Sequence, residues 1–422
     1  MKVVVFAAGK GERLWPLTER RPKPLLPVAG RPIIEGTLKA LVEAGIREIA
    51  IVTSHKEEKM REFVRDGRHL GFQASFVHQE SPMGTADALR TCRRWLRGES
   101  RFAVVYGDDY YSAEGIVRFV KAARRSRNAA IGVADSDDPS KFGSVGIRKG
   151  FVVSIKEKIG GDGPGPVNAG LYVLSDSFFE AVEKTQRSER GEYELTDTVN
   201  QMIGAGTKFQ ALSIAKNDWF GVSYPWDLLE ANRLLLESNA LSSLQGKVEQ
   251  GVRITGPLRL GKGSIVKSGC YVEGPVIVGE GSTIGPNSYL RPFTSIGRDC
   301  KVGAGCEVKA SILMDNVRVP HLSYVGDSIV GEGSSLGAGT ITANFRFDES
   351  DISSEVKGKQ VNTHRRKLGA IIGDEVRTGV NVSIFPGVKI GAQARIWPGM
   401  IVGKDVSSGQ RITRNILRPS KH

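Results

Sequence analysis

The sequence predicts two architectures in succession: an α/β doubly wound domain over residues 1–239 and a parallel β-helix over residues 240–406, followed by a basic tail at 407–422. Two patterns and one loop carry this reading. Short apolar runs alternate with amphipathic helical stretches in the first half, the order of a mostly parallel sheet wrapped by helices. The second half instead repeats an apolar residue at every sixth position, a period that fits neither a helix nor an alternating strand. The loop follows the first apolar run, where glycines and cations succeed one another.

In the first half, strands are expected at 2–7, 48–53, 74–78, 102–106, 130–134 and 170–174. Helices are expected at Ile33–Ala44, Glu57–Arg65 and Thr85–Leu96, and a helical stretch at Pro225–Ser238 precedes the change of pattern. Ligands of such sheets bind at the carboxyl ends of the strands. Two candidate segments fall there: the loop carrying Gly9, Gly11 and Arg13, and Tyr106-Gly107-Asp108. Bare glycine backbone can approach phosphates closely, and Arg13 and Lys23, the latter between Pro22 and Pro24, can reach the same anion. The loop is not a Walker loop, having no G-K-[ST]; Leu14 replaces the third glycine of the dinucleotide fingerprint.

In the second half, Ile254, Leu260, Val266, Val272, Val278, Ile284, Leu290, Ile296, Val302, Val308 and Met314 fall at six-residue intervals. Pro320 takes the next slot, His321-Leu322-Ser323-Tyr324 follows, and a new phase begins at Val330, Leu336 and Thr342. A second interruption covers roughly 344–367, after which the repeat resumes at Ile372 and runs through Ile384, Ile390, Ile396 and Val402. Interruptions of a rigid solenoid are where function concentrates.

The 422 residues are 40% apolar and 25% charged, ordinary for a globular chain. No run of eighteen apolar residues and no signal-peptide pattern is expected to direct the chain into or across a membrane. The four cysteines form no CxxC pair and are expected to be reduced, buried and cytoplasmic. The net charge of +13 is spread over helical stretches without aromatic interleaving, which argues against nucleic acid and for small phosphorylated ligands.

The first domain resembles the sugar-1-phosphate nucleotidylyltransferase family over its whole length. The resemblance rests on Ala8-Gly9-Lys10-Gly11-Glu12-Arg13, Pro22-Lys23-Pro24, Gly107-Asp108 and Asn168-Ala169-Gly170. It implies that Ala8, Gly9 and Gly11 hold a nucleoside triphosphate, UTP or dTTP, while Arg13 and Lys23 act on the reacting phosphates. It further implies base and ribose contacts from Gln79, Gly84 and Thr85, sugar contacts from Gly143, Glu157 and Asn168, and a Mg2+ ligand in Asp108. One departure stands out. Many members place a second metal-binding carboxylate in a W-x-D-x-G segment, where this chain reads Trp219-Phe220-Gly221-Val222-Ser223. Either water, substrate phosphates and Asp218 complete the metal shell, or the activity is weakened.

The second domain resembles the acetyltransferase half of bifunctional N-acetylglucosamine-1-phosphate uridylyltransferase/glucosamine-1-phosphate N-acetyltransferases and their archaeal relatives. It does so through Tyr289-Leu290-Arg291-Pro292, Glu307-Val308-Lys309, the run from Pro320 to Asp327, and the run from Leu336 to Asn344. The resemblance implies a left-handed helix of hexapeptide coils and a homotrimer. Its catalytic base is His321, suited near neutral pH to take a proton from an amine. Arg291, Lys309, Tyr324, Asn344 and Lys367 are the implied sugar-phosphate contacts, and Ala338 the implied acetyl-CoA contact. Arg291 and Lys309 are eighteen residues apart, one coil of three hexads. Archaeal relatives place lysines soon after the asparagine, where this chain has Ser350 and Ser353. The expectation is a bifunctional enzyme that acetylates glucosamine or galactosamine 1-phosphate and then joins the product to a nucleotide. The alternatives are a nucleotidylyltransferase with a structural or regulatory β-helix, and a non-catalytic regulatory subunit.

Overall fold

The computed structural model describes residues 1–81, 83–157, 163–238 and 241–413. The junction at 239–240 and the tail from 414 lie outside the described residues. Two compact units emerge. One comprises Met1–Lys10, Arg21–Leu26 and Pro32–Ser223; the other comprises Gly11–Arg20, Pro27–Arg31 and the chain from Tyr224 on.

The first unit is built on nine strands: β1 (Val3–Phe6), β2 (Glu48–Thr53), β3 (Gln73–His78), β4 (Arg101–Tyr106), β5 (Ala129–Ser136), β6 (Gly143–Arg148), β7 (Phe151–Glu157), β8 (Gly165–Ser175) and β9 (Phe209–Ile214). Their order across the sheet is β3-β2-β1-β4-β8-β5-β9-β7-β6. β1 is an unbroken apolar run because both its faces are covered. Val3 and Val5 pack toward helices α1 (Ile33–Glu43) and α4 (Ala113–Arg125) through Ile34, Leu38, Ile116 and Phe119. Val4 and Phe6 share the opposite core with Leu89 of α3 (Thr85–Thr91) and Val199 of the helix Leu195–Gly204.

The sheet is more mixed than expected. β1 to β4 run parallel, but β8 is antiparallel to both β4 and β5, because the β6–β7 hairpin, not a crossover helix, connects β5 to β8. The hairpin and β9 escaped sequence reading, as β6 and β7 lie at one sheet edge with many polar positions. The helix expected to reach Leu96 stops at Thr91.

The second unit is a parallel β-helix of two- to four-residue strands in stacked sheets. Val266, Val272, Val278, Ile284, Leu290, Ile296, Val302 and Val308 point into one continuous core. Ile254 pairs in register with Val272 but is exposed, because its strand is the first of its sheet. The phase then slips. Ile296 pairs with Leu313, Val302 with Val319 and Val308 with Val325, a spacing of seventeen residues rather than eighteen. Leu313 and Val319, not Met314 and Pro320, therefore take the inward positions. The missing residue is lost at the corner Lys309–Ile312, and the next coil repeats the short corner at Gly326–Ile329. Each short corner turns through a left-handed residue, Ala310 at φ 45° and Asp327 at φ 47°.

The second interruption holds an antiparallel hairpin, Ser353–Val356 with Lys359–Asn362. Ile372 then pairs directly with Val330, so the hairpin is an excursion from an otherwise continuous stack. The helix Asp227–Ser238 is fastened by the buried Asn232, whose amide accepts from Ala29 N and Ser295 Oγ and donates to Phe293 O. All four cysteines are buried and unpaired, as expected.

The segment Gly11–Arg20 also belongs to the second unit. Glu19 accepts hydrogen bonds from Ala392 N at 2.9 Å and from Ser408 Oγ; Arg20 pairs with Glu375, and Lys357 with Glu12. Glu19→Ala is expected to speed amide hydrogen exchange over residues 12–20 while the coil cores stay protected. Unchanged exchange there would show that local turns hold the segment without Glu19.

Candidate functional site

The carboxyl edge of the first sheet gathers most of the candidates. Phe6 pairs in register with Val52 and Tyr106, and Thr53 with His78. The chain therefore leaves β3 at Gln79, β1 at Ala7–Gly9 and β4 at Gly107–Asp108 along one edge. Gln79 N donates to Thr53 O, Ala7 N to Val52 O and Gly107 N to Phe6 O, each 2.8–2.9 Å. β8 brings Asn168-Ala169-Gly170 to the same edge, since Leu171 pairs with Val105.

Ala8 is buried, whereas a side chain at Gly9 would meet nothing within 4 Å, so that backbone stands open. Gly11 has φ 65°, a left-handed conformation that favours glycine, and starts the turn Glu12–Leu14. Arg13 sits on that turn with its guanidinium 5.6 Å from the Tyr224 ring centre, within the second unit.

Lys23 is buried between its prolines, with Nζ 2.8 Å from Asp108 Oδ2 and 3.7 Å from Asp109 Oδ1. Asp109 reads in the sequence as an ordinary turn residue after β4. It accepts from Trp219 Nε1 at 3.3 Å and Val222 N at 3.2 Å. Burial pushes its carboxyl above the usual range, against the pull of the Lys23 ammonium.

Asp218 is not available as a metal ligand. One of its oxygens accepts from Ser112 Oγ at 2.5 Å, the other pairs with Arg118, and its carbonyl accepts from Ser112 N. It closes the start of α4. At Gly221 a Cβ would lie 2.1 Å from Phe142 Cε1, so an aromatic ring fills the space a side chain there would need. Among the described residues no cluster of three His, Cys, Asp or Glu side chains could hold a metal. Asp108 remains: its Oδ1 takes no hydrogen bond among the described residues, and its side chain is 35% exposed. One such carboxylate fits a Mg2+ ion that arrives with nucleotide phosphates, because Mg2+ keeps its waters and takes few protein ligands.

Gly84 needs its missing side chain: at φ 110° a Cβ would fall 2.4 Å from Tyr193 O. Thr85 Oγ1 accepts from Leu195 N, and Gln79 Nε2 donates to Gly84 O and to the buried Asp87. Gly143 and Glu157 face each other in the β6–β7 register, and Glu157 also accepts from Thr196 Oγ1. Asn168 keeps its amide within its own turn, accepting from Gly170 N and donating to Tyr172 OH.

In the second unit the short corners stack Lys309 against Asp327. Lys309 Nζ lies 2.8 Å from Asp327 Oδ2, and Asp327 N donates to Lys309 O. The Asn344 amide donates to the same Oδ2 at 2.6 Å and to Tyr324 OH at 3.0 Å. Asp327 thus joins three of the expected residues, though sequence reading gave it no role. Its position beside the His321–Tyr324 run was the available signal. One coil below Lys309, Arg291 pairs with Glu307 at 2.9 Å, which holds it charged, while its buried Nε has no partner. Burial raises the Tyr324 hydroxyl, and Asp327 adds to the rise, so the phenol stays protonated.

His321 is exposed at the end of its strand, and its ring makes no hydrogen bond among the described residues. Ala338 is half-buried in the turn that meets Asn381 N. Lys367 is exposed where the excursion returns, with Leu368 N donating to Asn344 O at 3.1 Å.

Comparison with known proteins extends these observations. Residues 2–238 match the family model described as nucleotidyl transferase; 272–366 match the GMPPB C-terminal domain, and 369–404 the hexapeptide repeat of succinyl-transferase. The chain is 39% identical over 97% of its length to a bifunctional sugar-1-phosphate nucleotidylyltransferase/acetyltransferase of Sulfurisphaera tokodaii, covering 99% of that relative. It is also 39% identical over 97% of its length to a bifunctional protein GlmU of Methanocaldococcus jannaschii, covering 96% of it. Among solved structures, a putative glucose-1-phosphate thymidylyltransferase from Bacillus anthracis, in complex with a sucrose, aligns with 56% of this chain and 94% of its own. Its TM-score is 0.51 and its identity 27%.

The Lys309–Asp327 pair predicts coupled stability. Asp327→Asn and Lys309→Met are each expected to lower the unfolding free energy by about 1–3 kcal/mol, since each strands a desolvated partner. The double variant should lose less than the sum, by about 1 kcal/mol, in denaturant unfolding at fixed protein concentration. Strictly additive losses would show the two side chains to be energetically independent.

Proposed function

The chain belongs to the bifunctional sugar-1-phosphate nucleotidylyltransferase/acetyltransferase family, and we propose that it acetylates glucosamine or galactosamine 1-phosphate and then couples the product to UTP or dTTP. The observation that carries the reading is the column on the β-helix: Arg291 with its unpartnered Nε, then Lys309, which Asp327 ties to Asn344 and Tyr324. Two cations one coil apart suit a sugar phosphate, and the amide and phenol beside them suit its hydroxyls. Lys367, near Asn344 along the returning chain, is the further cation of this set.

In acetyl transfer, the sugar amine attacks the thioester carbonyl of acetyl-CoA, a C–N bond forms and the C–S bond breaks. His321 takes the amine proton and returns it to the departing thiolate. Ala338, in its tight turn, is placed for the acetyl-CoA chain. In nucleotidyl transfer, the phosphate oxygen of the acetylated sugar attacks the α-phosphorus in line and pyrophosphate leaves. Gly9 and Gly11 offer backbone N–H groups, and Arg13 and Lys23 offset the charge on the phosphates. Gly143, Glu157 and Asn168 orient the sugar, and Gln79, Gly84 and Thr85 the nucleoside. Asp108 would hold Mg2+, which supplies charge neutralisation at the phosphates.

The proposed division is nucleotidyl transfer in residues 1–239 and acetyl transfer in 240–406. The match of residues 369–404 to a hexapeptide repeat supports association of the second unit with further copies, read here as a homotrimer. No described helix is long and apolar enough to cross a membrane, in keeping with a cytoplasmic enzyme of small-molecule substrates.

One observation favours a second reading, in which the first site is degenerate: the Phe142 ring stands where the family's second metal carboxylate would need room. A single incubation decides between them. Protein, Mg2+, UTP, acetyl-CoA and glucosamine or galactosamine 1-phosphate should release both free thiol and pyrophosphate. Thiol without pyrophosphate, with every nucleotide and N-acetylated sugar phosphate supplied, would establish the degenerate site. Absence of thiol with either amino sugar would overturn the acetyltransferase. His321→Ala is expected to abolish thiol release and to spare pyrophosphate release from the N-acetylated sugar phosphate.

A further inference from the structure

Gln79 is buried, and its side-chain amide is held from one end only. Nε2 donates to Gly84 O at 3.2 Å and to Asp87 Oδ2 at 2.8 Å. Both partners accept, a carbonyl in one case and an arginine-paired carboxylate in the other. Asp87 is itself buried on the first turn of α3, and its other oxygen pairs with Arg90 at 2.6 Å. A rotated amide would aim Oε1 at two acceptors and forfeit both hydrogen bonds, so the orientation is fixed before any ligand arrives. Oε1 accepts from no donor among the described residues, yet it is not among the buried orphaned atoms, so it keeps a small opening to solvent.

We propose that Asp87, through this amide, makes the first site select a base bearing an N–H at its pairing edge and reject one bearing a lone pair there. The inference rests on the reading of Gln79 as the base-contacting residue and adds the residue that sets its polarity. Uracil and thymine carry a proton on N3 and donate it to Oε1. Cytosine carries a lone pair on N3 at neutral pH, so two acceptors would face each other with no solvent between them. Such mismatches are expensive because the polar group of the site is left unpaired as well. Asp87 is thus a positioning residue: it acts on the base only through Gln79. The same geometry leaves uridine and thymidine undistinguished, because their difference lies away from N3.

The test is calorimetric binding of UTP and CTP by the full-length protein, with pyrophosphate release as a second readout. The wild-type chain should favour UTP over CTP by about 100-fold or more. Asp87→Asn keeps the shape but can meet either end of the amide, and Asp87→Ser frees the amide to rotate. Both should narrow the ratio by about 10-fold, chiefly through tighter CTP binding, the scale of one hydrogen bond. Arg90→Gln, which removes only the outer ion pair, should keep the wild-type ratio. A folded Asp87 variant that retains full discrimination against CTP would overturn the proposal and leave the nucleotidyl reading intact. Equal binding of the two nucleotides by the wild-type chain would also overturn it. Failure of the wild-type chain to bind or turn over any nucleotide would overturn the nucleotidyl reading together with it.

Discussion

A buried carboxylate can only accept hydrogen bonds, and both functional regions of this chain are organised around that restriction. Burying such a charge is costly unless donors meet it. Asp87 is met by Gln79 and Arg90, Asp109 by Lys23, Trp219 and Val222, and Asp327 by Lys309 and Asn344. Four of these donors, Gln79, Lys23, Lys309 and Asn344, are also residues proposed to meet substrate. The consequence is preorganisation. An amide whose N–H end is spent on a carboxylate can offer a ligand only its oxygen, in Gln79 and Asn344 alike.

The β-helix shows how little backbone change is needed to build such a cluster. Parallel coils place equivalent residues in columns, so a residue deleted from one corner changes what stacks there and nothing in the strands on either side. The corner after Val308 is one residue shorter than the corner after Leu290, and the corner after Val325 repeats the short form. Lys309 pairs in register with Gly326, so Asp327 falls where Ala310 sits on the corner below, and it pays for that place with a left-handed φ of 47°. The same unit anchors Gly11–Arg20 through Glu19, so the turn that carries Arg13 is stabilised by residues remote in sequence.

Much of this was legible because solenoids and buried parallel strands write their contacts into a period. The inward residues from Val266 to Val308 follow directly from six-residue spacing, and β1 from its unbroken apolar run. The slip at Leu313 was hidden because its neighbour Met314 is also apolar, so the old phase still read as continuous. β8 was located but not its direction, since strand polarity depends on the hairpin before it. Asp87 was illegible for a different reason. An acid on the first turn of a helix is ordinary there, and only the fold shows that it faces a glutamine eight residues earlier. Gly221 was visible as a missing carboxylate, but the ring of Phe142 that fills its space comes from a residue distant in sequence.

That filled space bears on how the first site manages charge. With Asp218 committed to Ser112 and Arg118, the acidic groups left at the edge of β4 are Asp108 and Asp109, and Lys23 contacts both. Lys23 offsets part of their charge, so a cation there would need phosphate ligands as well. Asp109 is the part that can change, because burial lifts its carboxyl toward the neutral form and Lys23 opposes that lift. Were Lys23 to turn to substrate phosphates, as proposed, Asp109 would lose the neighbour that favours its ionised state. Its remaining donors, Trp219 Nε1 and Val222 N, would then carry the whole stabilisation. Both belong to the segment around Gly221. The segment that lacks the family's carboxylate therefore still serves the site, by holding the charge on a carboxylate supplied from β4.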